Sequence, residues 1–440
     1  MRIGVAEVDY TPALGLPLMG NFRDDYAARG VHDPLCARAF VFENQAGDRA
    51  AMLSVDICML NRENVAHIRA CASRASGIPT GRILVAATHT HSGPAPMNLG
   101  SLPKCDDAEI QRFLERIAGA VPLAASDLSE ADLVAGAAIE DRLPHNRRLL
   151  CKDGRTHMNW EGLDPDFVVR PWGGADFELR VLGVKREGVE RAALVNYALH
   201  PAILAGDNWL YSADFPGYLA IAMRQLFGPD FVAAYFNGCC GNVNHVDYGD
   251  RTMGRGYTMT QRVGYMLAAD AYQALRSARP IEGDELAVSS EHVPLERLKI
   301  SDEEHRWCQN VIRELAGGHA PGQVDGLPDE YWAVTRLGMY EKQHEDDLPE
   351  VMVIRIGDAA VVGLPGEIFN EYGLEIKRKS PARHTFVVEL ANDAIGYIPT
   401  REAFGQGGYE PTPGATFYTG DAGTRLTASA LRQLDALFRR

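Results

Sequence analysis

The chain has 440 residues, 46% hydrophobic, 23% charged and 8% aromatic, enough for the core of one large domain or two ordinary ones. Forty-four Lys and Arg stand against 59 Asp and Glu, a formal charge of −15 that repels phosphate backbones and anionic headgroups. These figures exclude disorder, collagen-like repeats and coiled coil, and they argue against nucleic acid as a partner.

Short apolar, β-branched runs fall at 3–8, 51–57, 83–87, 177–184, 192–198, 231–235, 352–356, 359–362 and 385–390. Between them, helical spacing is clearest at 63–75, 109–125, 215–227, 261–276, 303–316, 368–379 and 429–438. That rhythm predicts a mixed-sheet α/β fold. No Pro/Gly/Ser-rich linker divides the chain and no period of 20–50 residues repeats, so a single domain over 1–440 is expected. Two stretches read as elaborations: a loop-rich region at 143–175, and an acidic helical segment at 301–347, either a lid or a solvated helical pair. No window approaches the ~18 apolar residues of a membrane span, and the N-terminus lacks the apolar run of a secretory signal. A cytoplasmic location without integral membrane association is expected, and self-association into a homo-oligomer stays open. The eight cysteines have no C-x-x-C spacing and read as reduced packing residues, the pair Cys239 and Cys240 being the least typical.

Three strand ends carry chemistry. The run at 83–87 leads into Thr88-His89-Thr90-His91-Ser92-Gly93-Pro94. In extended backbone the two imidazoles share one face, so a shared ion and a pair of satisfied polar histidines both fit. The run at 192–198 delivers His200 just before Pro201, and imidazole suits zinc. The run at 359–362 passes through Pro365-Gly366 to Glu367, at the start of the helix expected from 368, where the helix dipole alone would explain a carboxylate. A fourth run, 231–235, feeds the Gly-rich turn Asn237-Gly238-Cys239-Cys240-Gly241-Asn242-Val243-Asn244-His245, whose amides would suit an anion or an acyl oxygen.

In order along the chain, Leu18-Met19-Gly20, Gly30-Val31-His32, the Thr88 to Pro94 block, Asn146-Arg147, Asn196 to Pro201, Ser212-Ala213-Asp214, Pro365-Gly366-Glu367, Gly396-Tyr397-Ile398-Pro399-Thr400 and Gly408-Tyr409-Glu410 are together similar to the neutral/alkaline ceramidases, zinc-dependent amidases of the N-acyl bond of ceramide. The resemblance implies a Zn2+ ion held by His89, His200, Glu367 and Tyr397. It places His91 beside the water as catalytic base or acid, Arg147 in contact with substrate, and Tyr409 near the active site. Zinc would lower the pKa of its water from about 15.7 to about 7 and polarise a carbonyl. His91 would carry the proton to the leaving nitrogen, and Arg147, Tyr397 or Tyr409 would stabilise the oxyanion.

The chain departs from that family where ceramidases carry Gly-Asp-Val-Ser: here the residues are Gly241-Asn242-Val243-Asn244, with no serine. The immunoglobulin-like C-terminal domain of secreted ceramidases is expected to be missing, and the charge suits a bilayer substrate poorly. The expectation is therefore a zinc hydrolase cleaving an N-acyl amide in a small soluble substrate. Esters, lactones or sugar derivatives are the alternative, with Asn208, Asp214 and Asn244 near Arg147 for hydroxyl recognition, and a non-catalytic metal-binding scaffold is the third reading. Trp172, Trp209 and Tyr211 are candidates for a substrate-binding wall as well as for the core.

Overall fold

Three units of one topology make up most of the chain, in a computed structural model that describes residues 1–439 apart from 24, 99–104, 251, 319–321 and 325–326. In the first unit β1 (Arg2–Asp9), β2 (Cys36–Glu43) and β3 (Arg49–Val55) form an antiparallel meander. Helix α1 (Arg62–Ser76) then crosses back, β4 (Ile83–Ala87) joins β3 in parallel, and α2 (Asp107–Ala118) and α3 (Ala120–Ser126) cover the outside. The second unit repeats the order with β5 (Asp132–Ile139), β6 (Glu178–Arg186), β7 (Val189–Tyr197), α4 (Phe215–Phe227), β8 (Val232–Asn237) and α5 (Tyr257–Arg276). The third has β9 (Leu286–His292), an inserted pair α6 (Asp302–Ala316) and α7 (Asp329–Lys342), then β10 (Glu350–Ile356), β11 (Ala359–Gly363), α8 (Asn370–Lys379), β12 (His384–Val388), α9 (Arg401–Gln406) and α10 (Ala422–Phe438).

The sequence explains why these units dock. Each sheet turns one face inward, and Phe40, Met52 and Leu84 meet Leu182, Leu194 and Phe236 and then Ile354, Val361 and Phe386 in one shared core. The opposite faces pack under their own helices, as Ile68 and Phe113 do in the first unit, Leu219 and Leu267 in the second, and Ile376 and Leu434 in the third. Strands buried on both faces read as continuous apolar runs, which is why β4 and β11 are so clear in the sequence. Gly4 in β1 and Gly136 in β5 hold matching places: a Cβ on either would overlap the carbonyl oxygen of Ala124 or Ala274, where the closing helix presses on the first strand.

The mixed α/β expectation holds, with local differences. The helix expected over 109–125 is broken at Gly119, because Pro122 has no N–H to give and is tolerated only in the first turn of a new helix. The region at 143–175 contains a small three-stranded sheet of Arg148–Cys151, Thr156–Met158 and Val168–Pro171. Glu367 is not in a first helical turn: Glu367–Ile368 is a short strand paired in parallel with Tyr397–Ile398, and α8 begins only at Asn370. The segment at 301–347, partly outside the described residues, is the α6 and α7 pair, and α6 opens on a capping box of Ser301 and Glu304. No helix among the described residues is long and apolar enough to cross a membrane.

Candidate metal centre and active site

Each unit delivers one donor just past a strand's carboxyl end. His89 follows β4 with φ of +73°, a left-handed turn held by its own N–H to the Ile57 carbonyl at 2.9 Å. His200 follows β7, and Glu367 follows β11 after Gly366 at φ +98°. The Nε2 atoms of His89 and His200 stand 2.9 Å apart, and Glu367 Oε2 lies 3.3 Å from the first and 3.9 Å from the second. The ladder also sets Glu367 directly beside Tyr397, whose phenol is in hydrogen-bonding reach of that carboxylate.

The surroundings prepare these atoms for a cation. The His89 Nδ1–H donates to the Cys58 carbonyl at 2.7 Å, which leaves Nε2 as the lone pair facing the cluster. The Nδ1 of His200 sits 3.7 Å from the Cys240 thiol, and Glu367 Oε2, buried, accepts no hydrogen bond. Burial works against charge on both groups, but Glu367 and the Cys58 sulfur push the His89 pKa up, and His89 in return holds the Glu367 carboxyl below its usual range. The buried carboxylate thus favours positive charge at His89 Nε2, where either a second ring proton or, in its place, a metal ion supplies it. Two imidazole nitrogens and one carboxylate oxygen with an orphaned lone pair fit Zn2+, with the Tyr397 phenol as the adjacent fourth group. Tyr397 itself is kept protonated by burial and by the Glu367 charge.

His91 has its Nε2 3.2 Å from His89 Nε2, while its Nδ1 is buried without a partner. Burial, then His89, Arg23 and Arg147, push its pKa well down, so the ring is neutral. Arg23 donates to the His91 carbonyl at 3.0 Å and fixes this loop. Arg147 gives its Nε to Glu410 at 2.8 Å, stacks over Tyr397 and Trp160, and keeps Nη2 buried and free. Tyr409 stands edge-on to Tyr397 with ring centroids 5.5 Å apart. All seven residues expected from the sequence therefore meet in one place.

Two cavities open onto it. One, of about 270 Å³, is mostly apolar, walled by Met19, Phe22, Met97, Tyr331 and Phe417 with Glu367 at its floor. The other, of about 310 Å³, is lined by Arg147, Trp160, Asn244, His245 and Arg255. His91, Tyr397 and Tyr409 border both. Helix α7 supplies Tyr331 and Thr335 to the apolar wall, so part of the segment at 301–347 lines the site.

Other expectations change. Four amides of the turn at 237–245 are already used: Gly238 N bonds to Tyr197 O, Gly241 N to Ile368 O, Val243 N to Cys240 O, and Cys240 N to the Glu389 carboxylate. Those four are not available to an anion. Asn208 and Asp214 hold backbone, and Trp172, Trp209 and Tyr211 bond to Thr156, Asp25 and Ala13; none of the five lines either cavity. Asn244 does line the polar cavity and exchanges two amide hydrogen bonds with Asn159. All eight cysteines are free, but Cys58 and Cys240 touch the candidate ligand rings rather than only packing the core. No motif or periodicity singled out Arg23, Trp160, Arg255 or Glu389. Glu389 accepts from the backbone N–H of Ile368 and of Cys240, which brace the Glu367 and His200 segments, and burial pushes its pKa up to about 8.

A family profile described as neutral/alkaline non-lysosomal ceramidase, N-terminal, matches residues 1–254. The chain belongs to that family. The match covers the first unit, the second as far as the start of α5, and the His89 and His200 segments, while Glu367 and Tyr397 lie beyond it. A neutral ceramidase of Pseudomonas aeruginosa is 24% identical over 95% of this chain and 69% of its own length. One from Drosophila melanogaster is 25% identical over 55% of this chain and 36% of its own length. The crystal structure of a Pseudomonas aeruginosa neutral ceramidase superposes with a TM-score of 0.79 at 22% identity, covering 99% of this chain and 74% of the other. The three-unit α/β architecture is thus a neutral ceramidase fold.

Proposed function

We propose that this chain is a zinc-dependent hydrolase that cleaves an amide, an N-acyl bond, in a small soluble substrate. The observation that carries the reading is the donor cluster of His89, His200 and Glu367, with an unpartnered carboxylate oxygen, where an apolar and a polar cavity meet beside His91. His89, His200, Glu367 and Tyr397 would hold the zinc. Zinc in such a site lowers the pKa of a water to about 7 and polarises a carbonyl oxygen.

The remaining steps belong to side chains. The neutral His91 ring takes a proton from the attacking water and returns it to the leaving nitrogen. Tyr397 and Tyr409, both held protonated by burial, donate towards the developing oxyanion. Arg147 keeps one guanidinium nitrogen free for a substrate oxygen. Asn244 has no nucleophilic oxygen, so no acyl-serine forms at that position.

The test combines metal analysis with hydrolysis of a pool of N-acylated amines and a parallel pool of esters, lactones and acylated sugars. About one zinc per chain in wild type and in His91→Ala is expected. Amide turnover should fall about 10²–10⁴-fold in the variant. Turnover of the second pool alone would overturn the amidase reading, and absence of metal would overturn the site.

A further inference from the structure

The two cavities differ in charge as well as polarity. Among the described residues lining the polar cavity, the charged ones are Arg147 and Arg255, with no carboxylate, in a chain of net charge −15. Arg147 is buried, and Glu410, its ion-pair partner, is shared with Arg148. Arg147 Nη2 has no partner. Arg255 is exposed at the mouth, precedes the N-cap Gly256 of α5, and that cap provides no side-chain hydrogen bond to the helix's free N–H groups. Buried in the same lining, His245 donates its Nε2–H to the Gly254 carbonyl at 3.2 Å and leaves Nδ1 as an unpartnered acceptor. Two cations and a neutral acceptor in one cavity lining suit a small polar group that is anionic and carries an N–H or O–H.

We infer that the polar cavity is a subsite for the amine half of the substrate and that this half carries a carboxylate: the substrates are N-acyl amino acids, with the acyl chain in the apolar cavity. The inference rests on the amidase reading above and narrows it. The amino acid carboxylate meets Arg255 and the free nitrogen of Arg147, and the amide N–H beside it is the polar hydrogen available to His245. On cleavage the water oxygen bonds to the acyl carbon as the C–N bond breaks, and the bonding pair leaves with nitrogen. Both water protons end on that nitrogen, giving a fatty carboxylate and an amino acid ammonium.

The test uses zinc-loaded wild type and Arg255→Glu, at the solvent-exposed rim where charge reversal does not disturb the core. N-octanoylglycine, the neutral N-octanoylethanolamine and its phosphate ester are titrated calorimetrically while their hydrolysis is followed in parallel. Wild type should favour the glycine conjugate over the ethanolamide by about tenfold, with the preference shrinking as salt is raised. Arg255→Glu should abolish or invert it. Equal affinity for the two in wild type, or an unchanged ratio in the variant, overturns the subsite, and tighter binding of the phosphate ester overturns the carboxylate assignment. Selective binding of the glycine conjugate without cleavage of any amide keeps the subsite and removes the amidase reading. Cleavage of both conjugates without preference does the reverse.

Discussion

Glu367 and Glu410 are two glutamates buried on either side of Arg147, and they are built in opposite ways. Glu410, fully buried, has one oxygen on Arg147 at 2.8 Å and the other on Arg148 at 2.7 Å. Its counter-charge is supplied by the chain. Glu367 faces two imidazoles and a phenol, has an oxygen with no hydrogen bond, and is held ionised mainly by the His89 ring, with no guanidinium among the described residues bonded to it. A buried charge costs several kcal/mol unless paired, so the first glutamate is a structural tie and the second is an incomplete pair awaiting a cation. Burial alone does not separate them; the identity of the partners does.

The sharpest way to break the comparison is Glu367→Ala, which should lose zinc and lower turnover by about 10⁴-fold with little change in the stability of the metal-free protein. Stoichiometric zinc in that variant, by metal analysis, would make the two glutamates equivalent. Glu410→Ala should instead keep a measurable zinc site and cost about 3–5 kcal/mol of stability in denaturant, because two buried guanidiniums lose their shared carboxylate.

His245 extends the contrast to pH. Burial pulls its pKa down to about 4, against about 6.5 in the unfolded chain, so between those values the unfolded state binds more protons and stability rises with pH. Metal-free wild type should lose on the order of 3 kcal/mol relative to His245→Gln as pH falls from about 6.5 to about 4. Parallel profiles for the two proteins, by denaturant midpoint across that range, would contradict it. The smallest effect belongs to the neutral pair of Asn159 and Asn244. Asn244→Ser, which restores the serine of ceramidases, should cost about 1 kcal/mol of stability, leave zinc content unchanged and create no acyl-enzyme burst. A burst would put a serine mechanism back within reach.

The site was legible because its residues sit where apolar strands stop. A buried strand writes an unbroken Val/Ile/Leu/Ala run, and the polar residue after it stands out, as His89, His200 and Glu367 do. Strands with charge inside them are harder to read. Residues 36–43 contain Arg38, buried only because Asp56 and Glu7 receive it, and residues 132–139 contain a glycine needed for close helix packing. The threefold repetition stayed hidden because the units begin at Arg2, Asp132 and Leu286, far apart, and share topology without sharing motifs. Arg255 and Trp160 lie in connections with no periodicity, so only the folded chain could bring them to a cavity.

The donors' distribution has a consequence for the life of the protein in a cell. Each comes from a different unit, and the three sheets meet in a shared core. Neither a nascent fragment nor a chain with one unit undocked has the full set. On the proposed zinc reading, capture of the ion would therefore be a built-in inspection of the finished molecule: misassembled copies would stay metal-free, and incomplete ones would not sequester zinc.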